Sequence, residues 1–83
     1  MAEAESGGEQ TFAEWLRENM ARHGLSQADV ARALDVDPAA VSRWVAGRSY
    51  PISHFRRMLA VGFDVPEDAI PGRYAGRRPV EKP

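Results

Sequence analysis

The chain has 83 residues and a formal net charge of -1, which bounds it to one small domain with a thin core. It contains no cysteine, so disulfides and thiolate-ligated metal sites are excluded. No apolar run approaches the roughly 20 residues that cross a bilayer, and the first ten residues lack the basic and apolar segments of a secretory signal; the expectation is a cytoplasmic protein with no membrane role.

The charge is unevenly spread. Residues 1–21 hold five acids and one base, residues 22–62 hold six arginines against three aspartates, and residues 63–83 balance at four of each. A basic centre on a near-neutral chain can meet phosphates, with modest long-range steering.

Met1 to Gln10 is acidic and polar, holds no core-forming residue beyond Met1, and is expected to be a disordered tail. Thr11-Phe-Ala-Glu14 has the pattern of a capping box. Phe12, Trp15, Leu16 and Met20 follow at helical spacing, and Gly24 is a suitable stop. A second helix starts at the cap Ser26, with Asp29 three residues on, carries the apolar stripe Val30, Ala31 and Leu34, and ends near Asp35. Asp37-Pro38 is the strongest start signal in the chain, an N-capping carboxylate followed by a proline whose fixed φ suits the first helical position. That third helix runs to Ala46 and is closed by Gly47. Ser53 is expected to cap a fourth, burying Phe55, Met58, Leu59 and Phe63. Pro66 to Ile70 predicts a short fifth helix, broken by Pro71-Gly72, and Arg73 to Pro83 reads as a basic tail. Five short helices with brief connections and no strand pattern define an all-α fold.

On a wheel of 100° per residue, Val41, Trp44 and Val45 fall on one side of the third helix. Ala39, Arg43 and Ala46 fall on the other, flanked by Ala40 and Ser42. The first set suits a core. The second is methyl groups and one guanidinium, a face that lets a backbone come close to a DNA groove while a long donor reads base edges. Catalysis has no support: Ser26 and Ser42 lack a histidine base at a supporting spacing, and no acid, base or nucleophile constellation occurs. The chain is expected to be no enzyme and to need no cofactor. His54 lacks a second ligand nearby, and His23 suits a helix C-terminus. Trp44 reads as core. Trp15 fits either burial against the fifth helix or an exposed dimer patch, Arg56-Arg57 reads as a solvated pair with phosphate contact as the alternative, and Arg73, Arg77 and Arg78 fit either a DNA-grasping arm or solubilising charge.

These residues resemble the helix-turn-helix family typified by phage lambda repressor and Cro, the xenobiotic-response-element family of bacteria. The likeness spans about residues 12–70 and rests on Gly24-Leu-Ser-Gln27, Val30-Ala31, Leu34-x-Val36, Val41-Ser-Arg-Trp44, Gly47-Arg48-x-x-Pro51, Leu59-Ala60, Phe63-x-Val65 and Ile70. It implies a compact five-helix lambda-repressor-like domain over residues 11–70 between the tails 1–10 and 71–83. It also implies a transcriptional regulator, repressor-like, that binds double-stranded DNA as a homodimer through the third helix. The DNA-contacting positions it implies are Ser26 and Gln27, Pro38, Ala39 and Ala40, Ser42 and Arg43, and Arg48 and Ser49. Gln27 would meet a phosphate at a helix N-terminus, Arg43 would read guanine, and Arg48 with Ser49 would hold backbone phosphates. Two departures stand out. Pro38 occupies a position where relatives carry a polar side chain that pairs with the glutamine, so that pair cannot form here. Asp35 replaces the usual turn glycine and, with Asp37, brings negative charge to the DNA-facing end. Some members of this fold bind proteins instead, so the alternative is an interaction module, such as an antitoxin or a regulator-binding adaptor, working through Trp15, the fifth helix or the tail.

Overall fold

The computed structural model describes residues 10–76. Four α-helices follow one another, α1 Phe12–His23, α2 Gln27–Leu34, α3 Pro38–Val45 and α4 Ser53–Phe63, and a single 3-10 turn, Glu67–Ala69, comes last. Among the described residues there is no strand. The acidic segment before Gln10 and the arginines at 77 and 78 lie outside the described residues.

The helix starts follow local chemistry. Thr11 Oγ1 accepts from the Glu14 N–H at 3.1 Å while Glu14 Oε1 accepts from the Thr11 N–H at 2.9 Å, so the expected capping box forms in full. Ser26 and Asp29 repeat it at α2, with reciprocal bonds of 3.0 and 2.9 Å. Asp37 Oδ1 takes the Ala39 N–H at 3.0 Å, with Pro38 in the first turn of α3. At α4 the sequence reading needs correcting. Ser53 is the first helical residue and Ile52 the cap, with no side-chain bond. The entry to this helix is set instead by the Ile52 carbonyl, which accepts from Phe55 and Arg56 N–H, and by Arg56 Nη1, which donates to the Pro51 carbonyl at 2.5 Å.

All four helices stop by one device. A residue at positive φ (Gly24, Asp35, Gly47 and Asp64) turns the chain so that the next N–H reaches back six residues inclusive. Leu25 bonds to Met20, Val36 to Ala31, Arg48 to Arg43 and Val65 to Ala60, at 2.9 to 3.0 Å. The aspartates at 35 and 64 do what glycine does at 24 and 47, at some backbone strain.

The expected fifth helix is one 3-10 turn. Ile70 precedes Pro71, which disfavours the α conformation, and Ile70 takes extended backbone at φ -76° and ψ 126°. Three residues therefore remain between Pro66 and the forced exit, too few for an α-helical turn to propagate. The all-α expectation stands, with four helices in place of five.

The core gathers one stripe from each helix. Leu16 and Val41 are fully buried, and Phe12, Trp15, Met20, Val30, Leu34, Trp44, Leu59 and Phe63 close around them. Each such side chain contributes about 1.5–3 kcal/mol by leaving water. Phe55 and Met58 reach the core but stay half-buried. Trp15 is buried, edge-on to Phe63 with centroids 5.6 Å apart, so its exposed-patch reading is overturned. Trp44 is core, as expected, tilted against Phe55. Asn19 is the one buried polar residue of the described chain. Its Nδ2 donates to the Trp15 carbonyl at 2.9 Å, and its Oδ1 finds no partner.

Candidate nucleic-acid interface

Helices α2 and α3 pack on each other, and α3 also packs against α1. Burial of Val41 and Trp44 decides which side of α3 faces water, because residues three apart share a face. Ala39, Ser42, Arg43 and Ala46 are accordingly exposed. Pro38 lies exposed at the tip, whereas Ala40 is half-buried against the core and sits at the rim of the face. Gln27 is exposed at the first position of α2, and Arg48 and Ser49 are exposed just beyond α3. The Ser26 hydroxyl is engaged as a cap by the Asp29 N–H, so its first duty is to the fold. The residues expected from the sequence thus collect on the α2–α3 unit, with Ala40 and Ser26 the least available.

Electrostatics single out two of them. Among the described residues Arg22 pairs with Glu18 and Arg32 with Asp29, both at 3.3 Å, and Arg57 pairs with Glu67 at 3.7 Å. Arg17 donates to the Val45 carbonyl at 2.6 Å. Arg56 lies over the Tyr50 ring at 4.9 Å and Arg73 at 5.3 Å. Arg43 and Arg48 alone among the described arginines have no hydrogen-bonded, ion-paired or aromatic side-chain partner. Their backbones are joined by the 2.9 Å bond that ends α3, which puts two unpaired guanidinium groups on residues at one helix end. The solvated-pair reading of Arg56-Arg57 is corrected for Arg56 alone, which is half-buried and bonded to Pro51, while Arg57 is exposed beside Glu67.

Of the nearby carboxylates, Asp37 is engaged as the α3 cap and Asp35 is exposed in the turn. The Ser26 N–H, followed by the Ser26 hydroxyl and the Arg32 guanidinium, holds the Asp29 carboxyl below its ordinary value near 3.8, so it stays ionised and tied to its cap.

Sequence reasoning did not find Tyr50, and it left Arg73 open between a DNA-grasping arm and solubilising charge. Tyr50 Oη donates to the Pro71 carbonyl at 2.9 Å, pinning the segment after the 3-10 turn against the α3–α4 connection. The partners are remote in sequence, and no local pattern announces them.

This arrangement, two short helices joined through a tight turn with the second helix outward, defines a helix-turn-helix. Residues 11–71 match the helix-turn-helix domain family, and the chain belongs to that family, in accord with the Cro-like resemblance. A transcriptional regulator from Listeria innocua has a similar solved structure, with a TM-score of 0.70 and 25% identity, over 90% of this chain. This chain spans 65% of that regulator's length. No curated protein matches the sequence. Among the described residues, no helix is long and apolar enough to cross a membrane.

Proposed function

We propose that this protein is a sequence-specific DNA-binding transcriptional regulator, repressor-like, that lays α3 in the major groove of duplex DNA and binds a partly palindromic site as a homodimer. The carrying observation is the pair Arg43 and Arg48. Both are exposed, both lack an internal partner among the described residues, and both flank the small outward face of α3. Arg43 acts as the bidentate reader of guanine. Arg48, Ser49 and Gln27 hold backbone phosphates, and Ala39 and Ser42 supply close apolar and hydroxyl contacts. Family membership and the likeness to a transcriptional regulator support this reading. The domain works without catalysis or cofactor.

The interaction-module alternative gains nothing from the structure. Of the surface it named, Trp15 is buried, the fifth helix is a single turn, and the tail beyond residue 76 lies outside the described residues.

Selection of bound duplexes from a random pool, followed by titration of the winner at two salt concentrations, tests the proposal. A palindromic winner with half-sites about 10 base pairs apart, bound with a steep salt slope, is expected. No enrichment over random duplex would overturn it.

A further inference from the structure

Between the start of α1, the α3–α4 connection and the turn after Pro71 lies an open groove of about 420 Å³. Arg17, Arg48 and Arg73 all line it, together with Ser49 and Tyr74, and Glu14 is its one carboxylate among the described residues. That carboxylate already accepts the Thr11 N–H. Three arginines thus line one concavity with one committed acid.

We propose that this groove receives a backbone phosphate of the duplex outside the stretch met by α3, and that the turn carrying Arg73 is a second DNA-contacting element. The proposal rests on the DNA-binding reading above. Arg48 carries the continuity, because it stands at the end of α3 and also lines the groove. The other two arginines are prepositioned without being used up. Arg17 is tethered to the Val45 carbonyl through one nitrogen, and a guanidinium has five N–H donors. Arg73 lies over the face of Tyr50 at 5.3 Å, and a stacked guanidinium keeps its in-plane donors for an anion. The Tyr50 hydroxyl holds the turn through Pro71, and the turn closes on itself through the Ala75 N–H and the Gly72 carbonyl at 3.1 Å. A planar fork beside a second cation matches the tetrahedral oxygens of a phosphodiester better than it matches a base edge or an apolar side chain. Tyr74, among the most exposed large side chains of the described chain, adds a hydroxyl at the groove wall.

Phosphate-ethylation interference on the selected duplex, combined with salt titration, tests this directly. The wild type should show an interfering phosphate outside the α3 segment, and Arg73→Ala should erase that signal while keeping those that depend on Arg48 and Gln27. Arg73→Ala should also flatten the salt slope by about one unit, so that a fourfold rise in salt weakens it about fourfold less than the wild type. Tyr50→Phe, which removes only the hydroxyl that holds Pro71, should weaken the same signal. An unchanged interference pattern and slope in Arg73→Ala, with Arg43→Ala still losing base preference, would remove the groove from the interface and leave the α3 reading standing. Failure of the wild type to bind any duplex would remove both.

Discussion

After α2, Asp35 at φ 58° lets the Val36 N–H reach the Ala31 carbonyl at 3.0 Å, while after α3 Gly47 at φ 77° lets the Arg48 N–H reach the Arg43 carbonyl at 2.9 Å. The backbone is the same and the side chains are opposite. Val36 packs on the core beside buried Ala31, whereas Arg43 and Arg48 stand in water and pair with no acid among the described residues. Apolar side chains at these two positions commonly lock such a helix end. The end of α2 uses that lock and the end of α3 forgoes it. Arginine near a helix C-terminus gains a little from the dipole, but neither arginine gains an ion pair here. The DNA contact proposed for Arg43 and Arg48 accounts for the choice.

The sharpest way to break this contrast is to cross from the outer face of α3 to the inner one. Trp44→Ala, one residue from Arg43, should cost about 3–5 kcal/mol of folding stability, measured by urea unfolding, and a loss below about 1 kcal/mol would mean that α3 is oriented otherwise. Gly47→Ala comes next. A Cβ there would lie 3.7 Å from the Ala13 Cβ, which is ordinary contact, so the penalty is conformational, about 1–2 kcal/mol. The thermal melt should drop accordingly, and an unchanged melting temperature would show that α3 ends without a left-handed residue. Asp35→Gly works in the other direction at the end of α2. It relieves the strain of a left-handed aspartate by up to about 1 kcal/mol, partly offset by a freer unfolded chain, and removes a carboxylate from the turn proposed to face DNA. Melting temperature and duplex affinity should both rise, and a fall in both would refute the account of that turn.

The smallest effect is acidic. The folded Asp29 carboxyl sits below its unfolded value near 3.8 because Ser26 and Arg32 hold its charged form. Its stabilising contribution is therefore fully present above 3.8 and is lost as pH falls through the lower folded value. Asp29→Asn should flatten the acid limb of a pH–stability profile in that window, and an identical limb in both proteins would count against the cap.

The parts of the fold that were legible are those whose chemistry is local. Thr11 with Glu14, Ser26 with Asp29, and Asp37 with Pro38 act across two or three residues, so the starts of α1, α2 and α3 can be read directly. The outward face of α3 was legible for a related reason, since successive helical residues lie about 100° apart, which turns Arg43 away from the face that buries Trp44. Ser53 misled because a capping residue type is only a candidate, and here the Ile52 carbonyl and the Arg56 to Pro51 bond start the helix one position earlier. The burial of Trp15 was undecided in the sequence because it depends on Phe63 at the far end of the domain. The fifth helix failed on Pro71, whose restriction of Ile70 weighs more than the helix-forming residues before it. In the site, residue types and face were readable. That Arg43 and Arg48 are unpaired was not, because it depends on which partners the other arginines take.

The measurement that tests the central claim most directly is a comparison of Arg43→Ala and Arg48→Ala on the selected duplex and on single-base variants of it, at two salt concentrations. Arg43→Ala should lose about 1–3 kcal/mol on the selected duplex and little on a duplex already changed at the base it reads. Arg48→Ala should weaken every duplex alike and flatten the salt slope by about one unit. Equal losses across all duplexes for both variants would contradict the account, because Arg43 would then be one more phosphate clamp and α3 would read no sequence.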